Sequence, residues 1–227
     1  MAPGIFCVWS SSNPDTTPRT DGGEETFNDA ITALPGVVRS YHIKQAEEHV
    51  IAPPFNHDIP YMTIYHVADA KIYEEKEFKD LEAQWQNNKE TTFAPRFYEE
   101  IELIEEEGCE NMQPEFNDLV AVLTAEAPEA STQFHNFHRD VIVGSVRECP
   151  NFVRARLYRQ VGETQANDKV SSPVMFLHEY SSDELPWTEL VDVGMTQEWQ
   201  DMLESGLNWQ GVFYHVQSLG KKAKDDK

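Results

Sequence analysis

Pro35-Gly-Val-Val-Arg-Ser-Tyr-His-Ile43 and Pro150-Asn-Phe-Val-Arg-Ala-Arg-Leu-Tyr158 are one motif written twice: a proline-led turn running into a strand. Each copy is followed by a second proline-led strand, Pro60-YMTIYHVAD and Pro173-VMFLHEYSS. Each half then closes on an aromatic strand, Arg96-FYEEIELI and Gly211-VFYHVQSL. The offsets agree: 150 − 35 is 115, 173 − 60 is 113, and 214 − 98 for the Phe-Tyr pair is 116. Three landmarks in one order at one spacing predict a duplicated unit of about 115 residues.

Working outward, the first half reads as strand Gly4–Ser10, helix Glu24–Leu34, strands Val37–Lys44 and Tyr61–Ala68, helix Lys76–Asn87 and strand Arg96–Ile104. The second reads as strand Asp118–Thr124, helix Ser131–Glu148, strands Phe152–Gln160 and Val174–Ser181, helix Thr196–Gly206 and strand Trp209–Ser218. That is βαββαβ twice, the ferredoxin-like split βαβ unit. The expected domains are residues 1–110 and 118–219, joined by a linker at 111–117 and followed by a disordered tail at 220–227. The fold class is therefore α+β. Each four-stranded sheet has one face covered by its own helices and one bare. Two bare apolar faces must meet, which predicts an intramolecular α/β barrel enclosing a dry cavity.

The bulk composition limits the function. The chain has 227 residues, 40 acidic against 18 basic, and a net charge of −22. Such a surface repels phosphate backbones and anionic lipid, so neither nucleic acid nor a membrane is expected as partner. Cys7, Cys109 and Cys149 show no CxxC spacing. This suggests a reducing, cytoplasmic setting, with Cys7 and Cys149 as inert core residues. No signal peptide or 18-residue apolar run is read at the N-terminus or elsewhere. No dinucleotide, phosphate-loop, nucleophile-elbow or zinc-protease pattern occurs, so neither cofactor nor metal is expected.

The PG-V-x-R-x-Y second strand, the proline-led third strand ending in His-Glu, Gln197-Glu198-Trp199 and the Phe-Tyr closing strand together resemble the EthD-like branch of the dimeric α/β-barrel superfamily. Tandem-repeat members common in fungi are the best match, over roughly Gly4 to Leu219. The resemblance implies cofactor-free small-molecule chemistry on aromatic or polyketide-type substrates, such as cyclisation, isomerisation or decarboxylation. Family members carry a histidine in the first helix. Counted from Phe134, its place here is Ile142, and Phe27 to Pro35 spans only eight positions where Phe134 to Pro150 spans sixteen. Neither half keeps that residue, so the chemistry must use other groups. A tandem chain can complete its barrel alone, so a monomer or a homodimer is expected.

Strand alternation supplies those other groups. With Val153, Ala155 and Leu157 toward the helices, Phe152, Arg154, Arg156 and Tyr158 should enter the barrel. The first-half counterparts are Val37, Arg39, Tyr41 and Ile43. With Met175 and Leu177 toward the helices, Val174, Phe176, His178 and Tyr180 should point inward, matched by Tyr61, Thr63, Tyr65 and Val67. His178, Tyr65, Arg156 and Arg154 are the candidate catalytic groups. Arg39, Tyr41, Tyr158, Phe152, Phe176 and Tyr61 are the candidate substrate-binding groups. Arginine clamps an oxyanion while Tyr or His moves a proton. Each has a plainer reading: Arg154 or Arg156 pairs with Glu100 or Glu102, His178 is structural, and the tyrosines pack. His135 and His138, three apart on a helix, read as a solvated face; His66 and His215 read as structural. His49, His57 and Asp58 lie at a cavity mouth or face water. The function expected is a small-molecule enzyme; a non-catalytic carrier of an apolar ligand and a scaffold with no cavity are the alternatives.

Overall fold

Leu34-Pro35-Gly36-Val37 closes on a hydrogen bond of 3.2 Å from the Val37 amide to the Leu34 carbonyl. Proline fixes φ at the second position, and Gly36 takes the φ of 88° that the third requires. This turn swings the chain from the first helix into the second strand. Cys149-Pro150-Asn151-Phe152 closes at 3.0 Å in the same place of the second half.

A computed structural model describes residues 2–10, 27–50, 60–86, 95–126, 131–161 and 174–220. The elements are β1 (Gly4–Ser10), α1 (Phe27–Thr32), β2 (Val37–Val50), β3 (Tyr61–Val67), α2 (Lys76–Gln86) and β4 (Arg96–Glu105). They repeat as β5 (Leu119–Glu126), a helix α3, β6 (Phe152–Val161) and β7 (Val174–Tyr180). Two short helices follow, α4 (Trp187–Gly194) and α5 (Gln197–Glu204), then β8 (Asn208–Leu219). Helix α3 begins as Ser131–Phe137, continues through a π-helical stretch His138–Val143 and ends in the turn Gly144–Val146. His57, Asp58 and the tail beyond Gly220 lie outside the described residues.

All eight strands close one antiparallel barrel in the order β1-β3-β2-β8-β5-β7-β6-β4. Within it, β2-β3-β1-β4 and β8-β5-β7-β6 are two copies of the ferredoxin-like sheet. They are joined along two equivalent seams, β2 to β8 and β4 to β6. One chain thus supplies both halves of the tandem ferredoxin-like α/β barrel. At β1 the strands crowd: a methyl group on Gly4 would lie 2.2 Å from the Tyr98 carbonyl oxygen and 2.7 Å from Ala70 Cβ.

Because both faces of the sheets are covered, strands bury successive residues into different layers. On β1, Ile5 and Cys7 enter the barrel while Phe6 and Val8 meet the helices. The barrel interior is a packed core of Ile43, Met62, Ile64, Tyr98, Leu177 and their neighbours rather than the expected dry hollow. It is filled because long side chains enter from both sheets at once. Outside it lie two helix–sheet layers. The first half's is centred on stacked Phe6 and Tyr65 (4.5 Å), with Phe78 and Phe97 edge-on to each other. The second half's contains Phe134, Phe137, Phe176 and Met202. Cys7 and Cys149 are both buried free thiols, and burial pushes the Cys7 thiol far up. Among the described residues, no helix is long and apolar enough to cross a membrane.

Candidate functional site

The structure divides the expected single site in two, on opposite faces of the sheet. Arg39, Tyr41, Arg154, Arg156 and Tyr158 point into the barrel as the alternation of β2 and β6 required. There they converge on Glu179 of β7, which faces inward with Met175 and Leu177. The Arg154 Nε lies 3.4 Å from one Glu179 oxygen; Arg39 and Arg156 nitrogens each lie 3.9 Å from the other. Arg156 also pairs with Glu100, and Arg154 with Glu105 at 2.8 Å. The plainer reading of the arginines, pairing with an inward carboxylate, describes these contacts. Arg154 further donates to the carbonyls of Cys109 and Met112, both at 2.8 Å, and Arg39 to Gln113 at 2.9 Å. The cluster therefore fastens the segment between the repeats across one end of the barrel. Buried cations are expensive unless paired, and here carboxylates and carbonyls supply the pairing. Burial, followed by the charge of Glu179, raises the Tyr41 hydroxyl well above its usual range, and burial does the same to Tyr158.

The remaining expectations require correction. Phe176, His178 and Tyr180 lie on the helix side of β7, and Tyr61 and Tyr65 on the helix side of β3. His66, expected on the outer face, points into the barrel against Tyr41, with ring centres 5.5 Å apart. Phe152 also faces the helices, beside Tyr180 at 5.9 Å, because a bulge between Phe152 and Arg154 changes the phase of β6. Both third strands are buried on both faces, so their apolar residues do not mark the phase. Tyr61 stacks on His42, and Tyr65 donates its hydroxyl hydrogen bond to the Asn28 side chain of α1.

His178 instead meets His138. The two Nε2 atoms are 2.7 Å apart, and both residues are buried. The solvated reading of the His135 and His138 pair fails for His138, whose ring lies 3.7 Å from Phe176. His135 is half-buried and pairs with Glu102 at 2.7 Å. The stripe Phe134, Phe137, His138 already has the i, i+3, i+4 spacing of a buried helix face, and it was the signal available. What that spacing does not show is the π-helical stretch beginning at His138, which lets both Ile142 and Val143 face the sheet. Such insertions recur at functional sites.

Beside this pair a cavity of about 260 Å³ opens between the second sheet and its helices. Its walls include Ile142 of α3, His178 and Tyr180 of β7, Val193 of α4, Trp199 of α5 and Trp209 of β8. Trp199 stands edge-on to Trp209 at 4.7 Å and stacks on Phe137 at 5.7 Å, so two indoles meet aliphatic side chains in an apolar box. The volume lies just under the roughly 300–1,000 Å³ usual for ligand pockets, so it suits a compact ligand. Ile142, the position where the family's histidine was sought, does line this cavity. Helix α4 was missed in the sequence although Pro186 precedes Leu190 and Val193 at helical spacing.

Burial alone lowers the His178 pKa to about 4. Burial, then His178 and His135 nearby, hold His138 well below the ordinary imidazole range. Both rings are therefore neutral at neutral pH. Since His138 takes up the Nε2 of His178, Nδ1 is the nitrogen left to meet a ligand.

No protein-family model matches the chain, and no curated protein does. Among solved structures, it is similar to an anthrone oxidase-like protein at 10% identity, covering 100% of this chain and 95% of that one, with a TM-score of 0.55. It is also similar to a candidate monooxygenase of Fusobacterium nucleatum, at 10% identity over 97% and 95% of the two chains, with a TM-score of 0.52. At this identity the likeness is one of fold.

Proposed function

We propose that the protein is a cytoplasmic, cofactor-independent enzyme of the EthD-like type. It holds an aromatic or polyketide-type substrate in the pocket between the second sheet and its helices. The reaction belongs to the cyclisation, isomerisation or decarboxylation class, each of which depends on moving a proton to or from an enolisable ketone or phenol. One observation carries this reading: an aromatic-walled cavity with a buried, neutral histidine, itself held by a second histidine. Trp199 and Trp209 offer ring surface against which an aromatic ligand can pack, and exclusion of water strengthens any hydrogen bond made to His178. The anthrone oxidase-like neighbour suggests a probe, since anthrone is a planar ketone whose tautomer is a phenol.

The test is the exchange of the anthrone methylene protons for deuterium, followed by NMR under argon with the native protein. Catalysed exchange is expected, and His178→Ala should slow it at least tenfold, as the loss of a group that hydrogen-bonds the substrate oxygen would. Native protein that leaves the exchange at its solvent rate contradicts the enzymatic reading. A carrier of apolar ligands is the second reading, favoured by Ile142 standing where a family histidine was expected and by the apolar lining. Retention of anthrone through gel filtration without exchange would select it.

A further inference from the structure

The His138–His178 contact has two possible directions, and they present opposite faces of His178 to the pocket. Both rings are neutral, so each carries one N–H, and the 2.7 Å contact places one hydrogen between the two Nε2 atoms. If His178 donates it, His178 Nδ1 is a bare lone pair, and His138 must carry its own hydrogen on Nδ1. If His138 donates it, His138 Nδ1 is bare and His178 carries a hydrogen on Nδ1.

The surroundings of His138 decide between them. Its Nδ1 is fully buried and has no hydrogen-bond partner. Phe176 lies against one side of the ring, and Phe134 packs edge-on to Phe176 at 5.2 Å. A buried N–H without an acceptor is rarer, and costs more, than an acceptor left unused. The cheaper arrangement leaves His138 Nδ1 bare and puts the hydrogen on its Nε2. His138 then donates, His178 Nε2 accepts, and the remaining hydrogen of His178 must sit on Nδ1.

We propose that His178 meets its ligand as a neutral hydrogen-bond donor through Nδ1, held in that tautomer by His138. The pocket accordingly selects a planar apolar molecule carrying an acceptor oxygen, a ketone or phenolate. His138 is a positioning residue and does not touch the ligand. His178 polarises the oxygen, as a neutral imidazole can, and stabilises the enolate that forms when a neighbouring carbon gives its proton to solvent water or hydroxide. This rests on the pocket being the ligand site and adds the chemical character of the ligand.

The test has two arms. In the first, protein carrying ¹⁵N-histidine is examined at pH 7 by long-range ¹H–¹⁵N correlation, which reports which ring nitrogen bears the hydrogen. His178 is expected to be protonated at Nδ1. In folded His138→Phe that preference should be lost, and in His138→Gln, which keeps a side-chain donor, it should return. In the second, native protein is titrated with anthrone and with 9,10-dihydroanthracene, the same skeleton without the carbonyl. Anthrone should bind about tenfold more tightly, with His138→Phe narrowing the difference and His138→Gln restoring it. Finding the His178 hydrogen on Nε2 in the native protein overturns the proposal, and so does equal affinity for the two probes. If neither probe binds, the pocket reading fails, while the NMR arm still decides the tautomer by itself.

Discussion

Tyr65 and His178 stand at equivalent places, 113 residues apart, and each reaches back to the first helix of its own half. Tyr65 finds Asn28, and with Phe6 stacked on it at 4.5 Å it belongs to a filled aromatic layer. His178 finds His138, with a cavity beside it. The difference is chemical: a phenol satisfied by an amide, against an imidazole left with a second functional nitrogen. It also has a cost. Three buried histidines, His66, His138 and His178, have pKa values held below 6.5, with burial the largest cause in each. In the unfolded chain they bind protons near pH 6.5, whereas in the fold they resist them. The unfolded state therefore holds more protons below pH 6.5, and folding stability is full above that pH. It should decline as pH falls toward 4, by up to about 1.4 kcal/mol per pH unit for each histidine. Urea denaturation at pH 7 and pH 5 measures this. His178→Phe should make the decline shallower, and an equal slope in that variant would show that His178 is not held neutral.

Gly4 shows how closely β1 is fitted between its neighbours, since a Cβ there would collide with the backbone of β4 and with Ala70. Backbone cannot rotate away as a side chain can, so Gly4→Ala should cost on the order of 1–3 kcal/mol. Thermal unfolding of the variant checks this, and an unchanged midpoint would contradict the β1 to β4 register. At the same scale, the order and type of the strands were legible, because turn prolines and aromatic closing strands repeat at one spacing. The phase of β6 past its bulge was legible too, because the apolar parity of Ala155 and Leu157 leaves Arg154, Arg156 and Tyr158 to the other face. The apolar residues of β7 and β3 gave no such mark. In Val174–Tyr180 both parities are bulky and buried, so Met175 and Leu177 read equally well on either side. Glu179 was the clue that was passed over, as a buried carboxylate two strands' reach from three arginines. The π-helical stretch of α3 leaves no compositional trace, so the burial of both Ile142 and Val143 was not legible, whereas that of His138 was, from its spacing to Phe134 and Phe137.

The molecule as a whole is a duplication whose halves have diverged in their helices and in the packing beneath them. Both seams close within one chain, so the barrel is complete without a second copy. Its interior is spent on packing and on a charge cluster that holds the inter-repeat segment in place, and the proposed ligand site lies instead on the outer, helix-covered face. There the halves differ: in the first, a cleft of about 380 Å³ at the Pro35–Gly36 turn is edged by Asp69, Glu75 and Glu77, while in the second α3, α4 and α5 frame an apolar cavity of about 260 Å³. A crystal structure of the protein soaked with anthrone tests this assignment most directly. One ligand per chain is expected, packed near Trp199 and Trp209 with its oxygen on His178 Nδ1. Density for the ligand inside the barrel among Arg39, Arg154 and Arg156, or against Tyr65 in the first half, would contradict it.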